Sequence, residues 1–500
     1  MNKWSIVLGL LLVATSALGQ MDDFSKTFEQ FRRDQMQQYD TFKISQQAEY
    51  DAFRRAQNEQ YATFMRDSWE TAYALPAIVV EEEEELAPVV YEAPVEEIVT
   101  ETASYSEAII TKEEVIIVPQ PSAKPAPIAP VEAIDEIPHK TVAISFYGTL
   151  VSVGFPLLDD LKIKSLNEKG LADAWMHLSD AKYNITLSNV LSVRDALSLC
   201  DWGYIDMLQA VSEKQYGKTN EAVLMQAYLL AQSNYKVRLA YGEGRLYVLV
   251  ASEFSILRMN RYEINGEYFY PLNCEVGELK ICKAYFEKER AISLQLREEQ
   301  KLDEDMSSVR QLRSKYGIVV DVAVNKNEVD FFNHYPSAYF GNNSMTRWVV
   351  YANTPLSEHV QASLYPTLKK SIVGLSERDA VNKLLNFVQT AFTYGYDNQV
   401  WGYDRAFFAS ETLHYPYSDC EDRSILFARL VRDLVDLDVV LIYYPGHLAT
   451  AVAFKQEVNG DYLTYKGHRY TVCDPTFVNA PVGMTMPGMN NREAQVIALK

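Results

Sequence analysis

Residues 28–71 carry the most regular pattern of apolar and polar positions in the chain. Aromatic side chains recur at every eleventh position in two rows: Phe28, Tyr39, Tyr50 and Tyr61 in the first, and Phe31, Phe42, Phe53 and Phe64 in the second. Polar residues, chiefly Gln, Arg, Asp and Glu, fill the intervals without Pro or Gly. A period of eleven positions corresponds to about 3.67 residues per turn, so both rows follow one nearly straight stripe of a helix. We predict a helix over 20–73 whose stripe packs on the globular part of the chain, on a partner helix or on a second copy.

The last third of the chain contains a helical pattern followed by strand patterns. Ile425, Leu426, Leu430, Leu434 and Leu437 recur at helical spacing. Ser418 and Glu421 have the spacing of a capping box, which predicts that this helix begins near Ser418 and ends near Asp436. A second amphipathic helix, entered at Ser376, is predicted to pack behind it.

Three strands are predicted after this helix. Residues 439–444 are apolar and end at a Pro-Gly break, and strands over 448–454 and 470–473 follow, separated by turn signals. If the last two strands pair antiparallel, the beginning of one lies beside the end of the other. His447 and Asp474 stand at those two ends, so we predict that they are neighbours.

The same helix–strand pattern occurs once before in the chain. A shift of 202 overlays 217–225 on 419–427, 237–241 on 439–443, and Gly244 on Gly446. We therefore predict a second copy of the unit over 140–280, joined to a C-terminal copy over 340–500 by a connecting region, 281–339, whose first part is charged and compatible with a helix. A coincidence of two unrelated helix–strand units is the alternative.

Residues 74–139 differ in composition from the rest of the chain. They contain 15 acidic and two basic residues, a net charge of −13, and seven prolines from Pro88 to Pro130. This composition predicts an acidic, Pro-rich, disordered linker. The whole chain has a net charge of −20, most of it in this segment. An acidic chain of this kind argues against nucleic acid or an anionic membrane as a partner.

The N-terminus has the layout of a signal peptide over 1–19. Lys3 supplies the charge, residues 6–14 are apolar, and Ala17-Leu18-Gly19 forms a small-residue cleavage site. Position 20 is Gln rather than the Cys of a lipid-anchored protein, and no later apolar run is long enough to span a membrane. We expect a secreted or periplasmic protein, and the short leader is typical of bacteria.

Five cysteines in 500 residues do not form a disulfide scaffold. Cys274 and Cys282 flank a predicted turn and are candidates for one disulfide. Cys473 is expected to be a buried strand residue rather than a partner of Cys420.

Cys420, His447 and Asp474 give the chain its candidate chemistry. They occur in the order thiol, imidazole and carboxylate, each at the end of a predicted element, as a cysteine nucleophile with its base and orienting group requires. The N–H groups and dipole at a helix N-terminus favour a thiolate at Cys420, whereas neighbouring Glu421 and Asp422 oppose it. Taken singly, a Cys at a helix start, a His after Pro-Gly and an Asp-Pro turn are ordinary structural residues.

Together these residues resemble the transglutaminase-like superfamily. The match covers residues 340–500 and lies in three motifs: Ser-Asp-Cys-Glu-Asp-Arg-Ser around Cys420, Pro-Gly-His-Leu-Ala-Thr around His447, and Cys-Asp-Pro-Thr around Asp474. The resemblance implies an α+β fold with two tandem transglutaminase-like (papain-like) domains. In the first domain Lys218 and Arg245 take the positions of Cys420 and His447, so that copy lacks the catalytic groups. Trp401 is a candidate oxyanion donor, since relatives often place an aromatic donor upstream of the Cys.

The resemblance implies a cysteine enzyme that acts on amide or peptide bonds through an acyl-enzyme. Hydrolysis is favoured over cross-linking, the expected substrate is a peptide, protein or cell-wall amide, and no cofactor or metal is implied. The alternative is a non-catalytic binding or scaffold protein that uses the same fold to recognise a peptide or glycan.

Overall fold

The computed structural model describes residues 3–80, 86–92, 109–111, 123–131, 138–273 and 277–499. For residues 3–29, 39, 40 and 109–111 the backbone alone is described. Some of the residues used in the sequence analysis fall outside this description, among them residues 81–85 of the acidic segment and the aromatic rings of Phe28 and Tyr39.

The described residues form twelve α-helices. In chain order these are α1 Lys3–Asp67, α2 Glu168–Leu178, α3 Asn184–Ala196, α4 Asp201–Tyr216, α5 Asn220–Gln232, α6 Lys326–Asn333, α7 Arg347–Asn353, α8 Glu358–Ile372, α9 Glu377–Ala391, α10 Asp397–Val400, α11 Ala409–His414 and α12 Cys420–Val435. Two short 3-10 helices, Ala181–Tyr183 and Ser344–Thr346, precede α3 and α7. The predicted helix after Ser376 is confirmed as α9, whose N-cap hydroxyl accepts a hydrogen bond from the Asp379 N–H.

The same residues form twenty strands. They are β1 Trp69–Tyr73, β2 Ile109–Thr111, β3 His139–Phe146, β4 Thr149–Pro156, β5 Val237–Gly242, β6 Arg245–Ala251, β7 Phe254–Ile256, β8 Tyr262–Ile264, β9 Glu267–Pro271, β10 Glu278–Cys282, β11 Arg310–Arg313, β12 Val319–Val322, β13 Ala338–Phe340, β14 Thr393–Tyr394, β15 Tyr417–Ser418, β16 Val439–Tyr444, β17 His447–Val452, β18 Tyr462–Tyr465, β19 His468–Cys473 and β20 Gln495–Ala498. The fold is therefore α+β, as predicted.

Two six-stranded sheets dominate the molecule, and they share one strand order. The first runs β1-β10-β5-β6-β9-β8 and the second β2-β18-β19-β17-β16-β20, so β10-β5-β6-β9-β8 corresponds to β20-β16-β17-β19-β18. The central hairpins even share their register: Val237 pairs with Val250, and Val439 pairs with Val452, which is the same offset as in the sequence. Helix α5 packs on β5 and β6 as α12 packs on β16 and β17. The repeat seen in the sequence thus extends to sheet order and register.

Helix α1 divides its two aromatic rows between the protein core and solvent. Tyr61 is buried and its ring stacks between Trp175 and Phe286, at centroid distances of 4.5 and 4.6 Å. The second row faces outward, with exposed fractions of 59% for Phe31, 58% for Phe42, 51% for Phe53 and 57% for Phe64. The predicted single stripe is wrong in this respect, because the two rows lie far enough apart around the helix to face different surroundings.

The acidic segment is not a simple spacer where the structure describes it. Strand β2 pairs in parallel with β18 at the edge of the second sheet. Arg54 and Arg194, both buried, donate hydrogen bonds to the carbonyls of Pro130 and Pro125. The predicted disordered linker is therefore wrong for these pieces, because their backbone groups find partners on the folded units. Within 74–139, residues 81–85, 93–108, 112–122 and 132–137 lie outside the described ranges.

Two further predictions fail in the connecting region. Residues 283–309 contain no helix among the described elements, and their extended backbone instead forms bridges such as Tyr235–Arg290 and Ser252–Ile292. Cys282 is buried with an unbridged thiol, and Cys274 lies outside the described residues. Burial raises the pKa of the Cys282 thiol to about 12. Cys473 is a buried, unbridged strand residue, as expected.

Across the described part of the chain, every helix falls short of the length or apolarity that a membrane span requires.

Candidate active site

Helix α12 begins slightly later than predicted. Asp419, not Ser418, is the N-cap: its side chain accepts from the Asp422 N–H at 3.2 Å, and the Asp422 side chain accepts from the Asp419 N–H at 3.4 Å. Ser418 belongs to β15 and its hydroxyl accepts from the Arg423 guanidinium at 3.2 Å. Cys420 is consequently the first residue of the helix, within the first turn where it was predicted.

The predicted neighbourhood of His447 and Asp474 is confirmed. Strands β17 and β19 pair antiparallel with Thr450 opposite Cys473, which brings the start of one strand beside the end of the other. His447 Nε2 lies 2.9 Å from Asp474 Oδ2, and both side chains are buried. A carboxylate at this distance favours the tautomer that carries its proton on Nε2.

Asp474 is itself held in place from two directions. Its Oδ1 atom accepts from the backbone N–H groups of Thr476 at 2.8 Å and Phe477 at 3.1 Å. The buried amide of Gln389 donates to the backbone carbonyls of Asp474 and Phe477, at 3.0 and 2.8 Å. These bonds fix the carboxylate so that Oδ2 points at the imidazole.

The second nitrogen of His447 is available for chemistry. Nδ1 is buried and has no hydrogen-bond partner among the described residues. With the proton on Nε2, Nδ1 carries the lone pair that a general base needs. A buried, unpartnered ring nitrogen is costly for folding, and a role in binding or catalysis is one explanation for it.

Cys420 and His447 line one cavity of about 910 Å³. The Ser424 hydroxyl, one helical turn after Cys420, donates to the Leu448 carbonyl at 2.8 Å. Since residues four apart share one face of a helix, this bond turns the face that carries Cys420 toward the start of β17, where His447 stands.

The thiol also has an acidic neighbour. Cys420 Sγ donates to Glu421 Oε2 at 3.1 Å. A carboxylate so close disfavours a thiolate, whereas the helix N-terminus favours it. These two effects on the thiol pKa oppose each other. Whether the thiol loses its proton therefore depends on the basicity of the His447 imidazole.

A group of carboxylates surrounds this position. One oxygen each from Asp397, Asp419 and Glu421 lies within 4.8 Å of the others, and all three side chains are buried and line the cavity. Oxygen ligands at this spacing suit a hard cation such as Ca²⁺. The concentrated negative charge also acts on Asp422: burial first, and then Asp397 and Glu421, raise the pKa of its carboxyl well above the ordinary value.

Trp401 is not where the oxyanion prediction requires it. It ends α10, and its ring packs on Phe407 and Tyr415 instead of lining the cavity with the other described residues. The tryptophan on the cavity wall is Trp348, in the first turn of α7, and its buried Nε1 lacks a hydrogen-bond partner within the described chain. Sequence reasoning missed Trp348 because it stands far ahead of Cys420 in the chain, and only its position between a charged and an apolar residue marks it.

The first sheet carries different groups at the equivalent places. Lys218, which the shift of 202 sets on Cys420, lies just before α5. The first residue of α5 is Asn220, whose side chain accepts from the Leu246 N–H at 2.9 Å. Arg245 begins β6 as His447 begins β17. The Leu272 N–H donates to the Val248 carbonyl, and by that register Asn273 takes the place of Asp474. No thiol, imidazole or carboxylate occurs at these positions.

Comparison with family models, with curated proteins and with solved structures finds no match to this chain.

Proposed function

We propose that this chain is a transglutaminase-like cysteine enzyme that acts on amide or peptide bonds. The observation that carries the proposal is the His447 imidazole, bonded to Asp474 at 2.9 Å through Nε2 and unpartnered at Nδ1 among the described residues, on the cavity wall that it shares with Cys420. Such a buried, oriented base beside a helix-start thiol is the arrangement that nucleophilic acyl transfer requires.

The reaction follows from the groups present. His447 Nδ1 takes the proton of the Cys420 thiol as sulfur bonds to the substrate carbonyl carbon, and Asp474 stabilises the imidazolium that results. The tetrahedral intermediate then expels its amine, which receives the proton from His447 and leaves an acyl-enzyme. Water, activated by the same nitrogen, releases the acid; an amine in its place gives cross-linking. Hydrolysis is the favoured outcome.

The developing oxyanion needs donors on the cavity wall. The backbone N–H of Cys420, at the first position of α12, points out of the helix N-terminus and is one donor. The Trp348 indole N–H, buried and without a partner in the described structure, is the second. Donors of this kind stabilise the transition state more than the ground state.

The wider assignment belongs to the same proposal. The matching sheet orders and registers support two tandem transglutaminase-like units, of which only the one over 340–500 keeps the reactive groups. The leader over 1–19 supports export to the periplasm or the medium, with a peptide, protein or cell-wall amide as substrate.

We further propose that the exposed Phe row of α1 binds a second copy of this chain. Residues 30–67 contain six basic and six acidic side chains, so this part of α1 has no net charge. Two such helices therefore do not repel each other, although the whole chain has a net charge of −20. A row with so regular a repeat matches its own copy along its full length, as coiled coils with this period do.

A binding or scaffold role is the second candidate function. The Glu421 contact to the thiol favours it, because a thiol held protonated by a carboxylate is a poor nucleophile. The first unit, with Lys218, Arg245 and Asn273 at the corresponding places, keeps the same sheet order without the reactive groups, which supports this candidate.

Alkylation by iodoacetamide separates the two functions. At neutral pH, mass spectrometry of the full chain should find Cys420 modified faster than the other four cysteines, and the variant His447→Gln should lose that advantage. His468→Gln, on the exposed end of β19, is the matched control and should leave the rate unchanged. If Cys420 reacts at the same rate in the parent and in His447→Gln, the base assignment is wrong.

A further inference from the structure

A segment of the chain itself lies in the cavity beside Cys420. Val80, Leu86 and Ala87 line the cavity together with Cys420 and His447. The Leu86 N–H donates to the Gly446 carbonyl at 3.2 Å, immediately before His447 in the chain. The Leu86 carbonyl in turn accepts from the Tyr394 hydroxyl at 3.4 Å.

The segment continues as an extended chain past the other half of the site. Val90 forms a parallel bridge with Val478, in the loop that follows Asp474. The Val478 N–H donates to the Val89 carbonyl and the Tyr91 N–H donates to the Val478 carbonyl, both at 2.8 Å. The Tyr91 ring meets the edge of the Phe477 ring at 5.9 Å.

Upstream, the chain is attached to the first unit. Ile78 bridges to Leu257, and the Ala77 N–H donates to the Asn260 side chain at 3.1 Å. Residues 75–80 are thus held on the first unit and residues 86–92 on the second. The backbone at 86–91 passes Gly446, which precedes His447, and Val478, four positions after Asp474.

We propose that the groove formed by Gly446, Tyr394 and Val478 is a binding site for an extended peptide, and that residues 86–91 occupy it as an internal competitor. Main-chain hydrogen bonds supply most of the recognition, as in other sites that add a peptide to an exposed backbone edge. The ligand class is a peptide with an aliphatic side chain at the position of Leu86 and an aromatic ring at that of Tyr91. The inference deepens the proposed function, since it names the form in which a substrate would lie beside Cys420.

The contacts are suited to exchange with a substrate. Leu86 is 38% exposed and Val90 is 57% exposed, so the segment is held along one edge and not enclosed. A competing peptide can therefore displace it without unfolding either sheet.

The test uses access to the thiol, so it needs no substrate turnover. The double variant Leu86→Pro/Tyr91→Ala removes the N–H that bonds Gly446 and the ring that packs on Phe477, in the full chain. We expect a bulky biotin–maleimide reagent to modify Cys420 about tenfold faster in this variant than in the parent, the gain expected from losing one hydrogen bond and one aromatic contact. Iodoacetamide, which is small, should show less than about half of that gain. Val79→Ser is the control, because Val79 is exposed in the same segment and should leave both rates unchanged.

A synthetic peptide of residues 84–92, added to the double variant, should restore the slow maleimide rate, and a scrambled peptide should not. Equal maleimide rates in parent and variant, or no protection by the peptide, would overturn the proposal. If the double variant does not fold cooperatively by circular dichroism, Leu86→Pro alone gives the same comparison. Protection by the peptide, with Cys420 alkylated by iodoacetamide no faster than the other cysteines, would reject the proposed enzyme and keep the peptide site. Fast, His447-dependent alkylation of Cys420 with equal maleimide rates in parent and variant would do the reverse.

Discussion

At the scale of single residues, His447 is defined by an asymmetry: one nitrogen is bonded and the other has no partner in the described structure. Asp474 holds Nε2, and the turn bonds to Thr476 and Phe477 hold Asp474. The direction in which the base faces is thus set by backbone N–H groups that follow the carboxylate in the chain.

Replacing Asp474 with Asn should slow Cys420 alkylation at neutral pH by about tenfold, because the imidazolium loses the roughly 1.4 kcal/mol that such a factor represents. The pH–rate profile of iodoacetamide alkylation measures the effect. Asp438→Asn, an exposed carboxylate before β16, is the control. Equal rates in Asp474→Asn and the parent would show that the carboxylate does not support the base.

Trp348→Phe should separate oxyanion stabilisation, which needs the indole N–H, from activation of the Cys420 thiol, which does not. It keeps an aromatic ring but removes the indole N–H, so amide cleavage should fall by about 100-fold, the effect of losing one oxyanion donor. Iodoacetamide alkylation involves no oxyanion and should change little. Trp401→Phe is the matched control and should leave both rates unaltered; a loss of cleavage there instead would restore the first assignment.

Cys420, His447 and Asp474 could be predicted because each stands at the end of an element that its own neighbours define. Trp348 could not, since its place beside Cys420 depends on how α7 packs against α12 and not on any spacing in the chain. The helix start was misplaced by a single position because Ser418 and Asp419 both offer a capping oxygen with an acidic residue three positions later.

At the scale of elements, strand prediction succeeded where a strand is completely buried and failed where a short segment pairs with a distant part of the chain. The residues of β16 are all buried, so their apolar run gave the strand its limits. Residues 86–92 carry a Pro and acidic neighbours that predict a spacer, yet their backbone pairs with Val478. Backbone pairing at an edge depends on the partner, which composition does not reveal.

The Phe row of α1 predicts a change of oligomeric state. Phe31→Ser/Phe42→Ser should convert an associating protein to a monomer in sedimentation equilibrium, because the row is exposed and contributes little to the fold of one chain. Gln35→Ser/Gln46→Ser, one helical turn after each Phe, is the control. An unchanged particle mass in the Phe variant would exclude self-association through this row.

At the scale of the whole molecule, the buried carboxyls of Glu328 and Glu411 and the partly buried carboxyl of Asp206 link stability to pH. Burial raises the pKa of Asp206 to about 7, of Glu328 to about 8 and of Glu411 to about 7. A raised folded-state pKa means that the folded chain binds the proton more tightly than the unfolded chain. The stability they contribute is complete at pH 4 and is lost as the pH rises through 7 to 8.

Glu328→Gln should therefore flatten the fall in unfolding free energy between about pH 5 and 8, measured by urea denaturation at several pH values. Glu278→Gln, exposed on β10, is the control and should keep the parent's slope. A Glu328→Gln chain whose stability falls as steeply as the parent's would show that Glu328 does not bind its proton in the folded state.

The segment 86–92 precedes the groove residues Tyr394, Gly446 and Val478 in the chain, and this bears on how the protein folds. The ribosome delivers it before any strand of the second sheet, so the groove would close over its occupant as α12 and β17 assemble. If the proposed enzyme is correct, the chain would fold as a zymogen, and displacement or cleavage of that segment would set the time at which the thiol first contacts another peptide.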